Sequence, residues 1–127
     1  MATKVLVVDD EESLRRIVAQ AFTDRGFSVI TAENGLDGLK LAKKERPNIV
    51  ILDLMMPGML GFDVCRQIRE DSTLSGTVVI ITSAKSYKPD IDRAKELGAD
   101  AFFVKPADID ELIQTAEVNL AKRSHAT

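Results

Sequence analysis

Cysteine is nearly absent. Cys65 stands alone among 127 residues, so no internal disulfide can form, and the chain is expected in a reducing cytoplasm. Cys65 itself reads as a small core residue on a helix rather than a reactive thiol. Long apolar runs are also missing. None approaches the roughly 20 residues a membrane helix needs, so no membrane partner is expected. The opening MATKVLVVDD passes directly into a strand-like run, and no signal peptide is expected. Positive charge is not in excess. A net charge of -3 argues against direct nucleic-acid binding by the domain itself. No linker, repeat or low-complexity stretch interrupts the chain. What remains is an ordinary globular composition, 45% hydrophobic and 29% charged, at a length that suits one domain over residues 1–127 with a single core.

Five short apolar runs alternate with five helical patterns. The runs are Val5–Val8, Phe27–Ala32, Ile49–Leu52, Val78–Ile81 and Ala101–Val104. The first helix carries the stripe Leu14, Ile17, Val18, Ala21 and Phe22, spaced i, i+3, i+4, i+7, i+8, and stops at Gly26. The second, about Gly35 to Arg46, carries Leu36, Leu39 and Ala42 and ends before Pro47. The third, about Phe62 to Asp71, carries Phe62, Cys65 and Ile68. The fourth begins near Pro89, carries Ile91, Ala94 and Leu97, and closes at Gly98. The fifth carries Ile109, Leu112, Ile113, Ala116 and Leu120, with Asp108 and Glu111 spaced as a capping box. Strict alternation predicts an α/β fold, a (βα)5 doubly wound parallel five-stranded sheet with helices on both faces. "VLVV", "IVIL" and "VVII" are apolar without alternation, as central strands are. "FSVITA" mixes polar and apolar residues, which places strand two at an edge. The order 2-1-3-4-5 satisfies this with right-handed crossovers. The core is expected over about residues 3–121, with 122–127 as a frayed tail.

One charge interrupts the apolar segment "NIVILDLMMPG". Asp53 ends strand three, and Asp9 and Asp10 end strand one. In the order 2-1-3-4-5 these strands are neighbours, and the topology reverses between them, which is where a ligand is expected. Carboxylates about 4 Å apart repel by roughly 1 kcal/mol in water and about 4 at a protein surface. Such a cluster asks for a cation. With no His or Cys near, a hard ion fits, and Mg2+ with several waters fits best, with Mn2+ as the alternative. Strand four ends in "ITSAKS", bringing hydroxyls from Thr82 and Ser83 to the same edge. Strand five ends in "VKP", bringing Lys105. A nucleophilic carboxylate beside a metal, a lysine and a hydroxyl has what a phosphoryl group in transfer requires.

The segments "VLVVDDEE", "ILDLMMPG", "ITSAKS" and "GADAFFVKP", in this order and spacing, resemble a two-component response regulator receiver domain, a chemotaxis-regulator-like, flavodoxin-like fold. The resemblance implies that Asp53 accepts a phosphoryl group from the phosphohistidine of a sensor histidine kinase or phosphotransfer protein. Asp9, Asp10, Asp53 and the backbone carbonyl of Met55 would hold Mg2+, with Asp10 favoured as a direct ligand. Lys105 would pair with the phosphoryl oxygens, and Pro106 would follow a cis bond. Both Thr82-Ser83 and Ser83-Ala84 fit the family's switch hydroxyl. Ser83 lies 22 residues before Lys105, the common spacing, so it is preferred, with the Ala84 amide as a further phosphate donor. Phe102 would be the switch aromatic, and the face of helix four, strand five and helix five would control a partner or output domain of unknown kind. Such a chain is not an enzyme in the usual sense. It catalyses only its own phosphoryl transfer and slow loss of the phosphoryl group. Leu60 departs from the acid many receivers carry there.

Three other functions compete. A flavodoxin-like cofactor binder would need a Gly/Ser/Thr-rich phosphate loop where "DDEESL" stands. A phosphatase of the haloacid-dehalogenase type would need an acid at Met55. A degenerate receiver serving only as a docking module would not need the full set of acids, hydroxyl and lysine.

Overall fold

The computed structural model describes residues 2–124. Strands β1 (Lys4–Val8), β2 (Ser28–Ala32), β3 (Ile49–Asp53), β4 (Val78–Ser83) and β5 (Ala101–Val104) alternate with helices α1 (Glu12–Asp24), α2 (Gly35–Glu45), α3 (Gly61–Glu70), α4 (Lys88–Glu96) and α5 (Ile109–Ser124). The strands form one sheet in the order β2-β1-β3-β4-β5, as expected, and every pairing is parallel.

Period-2 alternation sorts the core into two layers. Leu6, Val8, Val50, Leu52, Val79 and Ile81 face α2, α3 and α4, where Leu39, Ala42, Val64, Cys65, Ile68 and Ala94 meet them. Val5, Val7, Ile49, Ile51, Val78 and Ile80 face α1 and α5, where Phe22, Leu112, Ile113 and Ala116 meet them. Full burial of one such side chain contributes about 1.5–3 kcal/mol. These two layers therefore dominate the stability and hold the strand ends in register. The edge strand β2 is only partly buried, while every residue of β3 is buried.

The punctuation follows the sequence. Gly26 takes φ +91 after α1, and its N–H donates to the Thr23 carbonyl. Gly61 allows the loop after β3 to close. A Cβ there would lie 2.5 Å from the Asp53 carbonyl oxygen. The Asp108 carboxylate caps α5, accepting from the Glu111 N–H at 3.0 Å.

Some details depart from the sequence reading. Ile17 and Leu36, expected on buried stripes, are 55% and 49% exposed. Leu36 lies in the first turn of α2, beyond the covering layer. Ile17 lines the mouth of a cavity of about 170 Å³ between α1 and α5. A short 3-10 turn, Ser72–Leu74, was not anticipated; it buries Leu74. α5 continues through Ser124, past the expected end of the core, and Arg123 is bound to Asp100 at 2.8 Å. The rest of the expected tail, 125–127, lies outside the described residues.

Candidate functional site

The crevice forms where β1 and β3 end side by side. Register pairs Val8 with Leu52, so the next residues, Asp9 and Asp53, leave the sheet at the same level. Both are buried, at 6% and 5% exposure, while Asp10 is exposed. One carboxylate oxygen from each of Asp9, Asp10 and Asp53 lies within 4.8 Å of the others. Lys105 arrives from β5. Its Nζ donates to Asp9 Oδ2 at 2.8 Å and lies 3.3 Å from Asp53 Oδ1. The lysine backbone is tied to β4, with its N–H donating to the Ser83 carbonyl at 2.7 Å. The Lys105-Pro106 bond is cis.

The electrostatics follow from burial. Desolvation pushes the Asp53 carboxyl up to about 6; Lys105 opposes this, while the Asp9 charge and the Asp10 contact add to it. For Lys105, burial acts to lower the pKa. The hydrogen bond to Asp9 and the charges of Asp53 and Asp9 outweigh it and hold the ammonium above its ordinary value. Lys105 is one cation facing three carboxylates, and it leaves the crevice short of positive charge.

The donor set fits a hard divalent ion. It offers three carboxylates in reach of one another, with an open side at Asp10. Met55 belongs to the same wall, because its N–H lies 3.4 Å from Asp53 Oδ1. Its carbonyl is the backbone oxygen expected to join the carboxylates.

Thr82 and Ser83 point differently. Thr82 is in register with Asp53 and with Phe103, and it lines the cavity between α1 and α5. Thr82 is thus a strand residue whose side chain faces the α1-α5 side. Ser83 is 1% exposed, and its Oγ accepts from the Lys85 N–H at 3.2 Å. Ala84 next to it is exposed. Phe102 and Phe103 take opposite faces. Phe102 packs with the α2-α3-α4 layer and Phe103 with the α1-α5 layer. Beside Phe102, Ile91, Ala94 and Ala99 line a cleft of about 280 Å³.

Around the crevice, Met55 is 60% and Leu60 40% exposed. Lys85 Nζ sits over the Tyr87 ring, 5.4 Å from the centroid, a cation–π contact that draws it to the exposed side.

One residue escaped the sequence reading. Arg15 of α1 donates from Nη1 to the Asp9 backbone carbonyl at 2.9 Å. Its distance along the chain from Asp9 matches no short motif, and only the helix direction brings it back. Cys65 is no part of the crevice, and burial pushes its thiol up to about 11, consistent with an inert core residue.

Comparison with known proteins places the chain in a family. The family model described as the response regulator receiver domain matches residues 5–117. The sporulation initiation phosphotransferase F of Bacillus subtilis (strain 168) is 36% identical over 126 residues, covering 98% of this chain and 99% of its own length. A probable transcriptional regulator, ycf27, of Porphyridium aerugineum is 42% identical over 109 residues, covering 86% of this chain and 44% of the relative. The chain thus corresponds to less than half the length of that relative. Among solved structures, the chemotaxis protein CheY4 of Vibrio cholerae superposes with a TM-score of 0.87 at 31% identity, covering 93% of this chain and 98% of that one. With the 2-1-3-4-5 sheet and the acidic crevice at its switch point, these matches show that the chain belongs to the response regulator receiver domain family of two-component and phosphorelay systems.

Proposed function

We propose that this chain is a phosphorylation-activated switch whose phosphoacceptor is Asp53. It takes its phosphoryl group in the cytoplasm from the phosphohistidine of a sensor kinase or phosphotransfer protein. The observation that carries the reading is the convergence of Asp9, Asp10 and Asp53 within 4.8 Å, with Lys105 Nζ within 3.3 Å of Asp53.

An Asp53 carboxylate oxygen bonds to phosphorus as the donor P–N bond breaks, and the electron pair leaves on the imidazole nitrogen. Asp9, Asp10, Asp53 and the Met55 carbonyl would hold Mg2+, with Mn2+ able to replace it. When bound, the ion offsets the charge of the acids and of the incoming phosphoryl group. Lys105 is positioned to exchange Asp9 and Asp53 for phosphoryl oxygens. The Ser83 hydroxyl accepts from the Lys85 N–H, which leaves its own proton free to donate, and the Ala84 amide adds a second donor. These contacts require Ser83 to move toward Asp53, and Phe102 to turn into the space it leaves. The α4-β5-α5 face then reads the change. The chain acts on no separate substrate and loses its phosphoryl group slowly.

The test is incubation with acetyl phosphate and Mg2+, followed by mapping of the acid-labile phosphate by mass spectrometry. Wild type takes up one phosphoryl group at Asp53, Asp53→Asn takes up none, and EDTA stops the reaction. Uptake by Asp53→Asn equal to wild type sinks the reading. A wild-type chain that takes up no phosphate but still binds a histidine kinase favours the docking-module alternative.

A further inference from the structure

Arg15 reaches the acidic crevice from behind. It sits in the first turns of α1, where long side chains run back toward the helix N-terminus. Its Nη1 donates to the Asp9 backbone carbonyl at 2.9 Å. The side chain is only 12% exposed, and Nη2 lies 3.9 Å from a Glu33 carboxylate oxygen. The carbonyl it holds belongs to the peptide that joins Asp9 to Asp10. The plane of that peptide sets the direction in which Asp10 leaves the strand. On the other side of the turn, Asp9 Oδ1 accepts from the Glu11 N–H at 2.9 Å. The N-terminus of α1 has no side-chain cap of its own. The turn is therefore held by two side-chain contacts, one from Asp9 and one from Arg15.

We propose that Arg15 is a positioning residue for divalent-cation binding, which holds the Asp9 carbonyl so that the Asp9 and Asp10 carboxylates face Asp53. The inference rests on the reading of these three acids as a cation site. Two opposite effects follow from the same guanidinium. As an anchor it favours the cation by fixing ligand direction. As a positive charge it disfavours the cation by repulsion. Glu33 offsets part of that charge, and the anchor acts on the peptide between two ligands, so the anchor dominates. Lysine cannot reproduce it fully, because an ammonium is a compact point charge without the planar fork.

The experiment is Mg2+ titration of the whole chain by calorimetry, with the Asp10 and Asp53 amide signals followed by NMR. It compares wild type, Arg15→Ala, Arg15→Lys and Glu33→Gln. Arg15→Ala is expected to weaken Mg2+ binding about tenfold or more, the usual cost of losing a group that orients a ligand. Arg15→Lys recovers part of that loss. Glu33→Gln changes affinity by no more than about twofold, as an exposed ion pair does. Unfolding midpoints in EDTA separate any loss of fold from loss of cation binding. Arg15→Ala that binds Mg2+ as tightly as wild type, or more tightly, overturns the inference. If Arg15→Ala does not fold, full wild-type affinity in Arg15→Lys overturns it instead. A wild-type chain that binds no Mg2+ overturns the cation-site reading itself, and the inference with it.

Discussion

At the scale of single residues, the crevice trades stability for chemistry, and Asp53 carries most of the cost. Its carboxyl, normally near 3.8, sits at about 6 in the folded protein. An acid with a raised folded value is neutral in both states at low pH. As pH rises from about 4 through 6, the unfolded chain ionises more readily, and the native state loses relative stability. Two units correspond to roughly 3 kcal/mol as an upper figure. Asp53→Asn is therefore expected to be more stable than wild type by about 1–3 kcal/mol at pH 7 to 8 in EDTA. The gain should shrink toward zero as pH falls to 4, measured by urea unfolding across that range. A gain that is constant with pH contradicts the burial argument. On the proposed function, Met55 and Lys85 would bear on the lifetime of the phosphoryl group. Met55 is exposed beside Asp53 and cannot orient a water usefully. Lys85 has only donors, and the Tyr87 ring holds it outward. Neither would assist water attack on an acyl phosphate at Asp53. Met55→Asn/Lys85→Glu should lose phosphate several-fold faster than wild type after the donor is removed, as read by phosphate release. An equal rate removes the role assigned to both side chains.

At the scale of elements, β4 carries the candidate switch hydroxyl and α5 is fastened to the far end of the sheet. The alternation of β4 sends Thr82 toward the α1-α5 cavity and leaves Ser83 with its hydroxyl in the turn that leads to Lys85. Ser83→Ala should stay phosphorylatable at Asp53 but lose the conformational change seen by NMR, while Thr82→Val should keep both. The reverse result assigns the switch hydroxyl to Thr82. At the other end of the sheet, Asp100 accepts from Arg69 Nη2 at 2.9 Å, Arg123 Nη2 at 2.8 Å and the Val79 N–H at 2.9 Å. The contact fastens α3, β4 and the last turn of α5 to one carboxylate. Removing that carboxylate leaves two largely buried guanidinium groups with only backbone carbonyls as partners, so Asp100→Ala should cost about 3 kcal/mol in urea unfolding. A cost below about 1 kcal/mol would place the pair among weak surface contacts. None of this network could be read from the sequence, because Arg69, Asp100 and Arg123 share no local period. The elements themselves were legible for physical reasons. Gly26, Pro47, Pro89 and Gly98 mark helix ends, and unbroken apolar runs mark strands buried on both faces. Asp9, Asp10, Asp53 and Lys105 were legible because each follows an apolar strand, where topology alone brings ends together. Ile17, Leu36 and Arg15 were not, because side-chain exposure and reach depend on how α1 and α2 sit on the sheet.

At the scale of the whole molecule, the question is whether one phosphoryl group can shift the population of a domain this size. It adds roughly -1.5 to -2 charge and several acceptor oxygens. Hydrogen bonds to charged groups contribute about 1.5–3 kcal/mol each. Moving a population from 1:99 to 99:1 needs about 5.5 kcal/mol. New bonds to Ser83 and the Ala84 amide, with Lys105 exchanging its carboxylate partners for phosphoryl oxygens, would be of that order. The proposed change would run through Phe102. Phe102 is half-buried on the edge strand β5, in register with Ile81, with an open cleft of about 280 Å³ between it and α4. An edge strand and a helix over a cleft can shift without disturbing the buried centre of the sheet. With a phosphate mimic and Mg2+, NMR should show signals of Ser83, Phe102, Ile91 and Ala94 moving together, while Ile51 and Val79 stay in place. The slow loss of phosphate argued from Met55 and Lys85 would make this state long-lived. A durable state suits transcription or development better than rapid motility control, a step that rests on analogy with the family. Phe102→Ala should keep phosphate uptake at Asp53 but leave Ile91 and Ala94 unmoved. If those two signals shift as in wild type without the ring, Phe102 is not the link between the crevice and the α4-β5-α5 face.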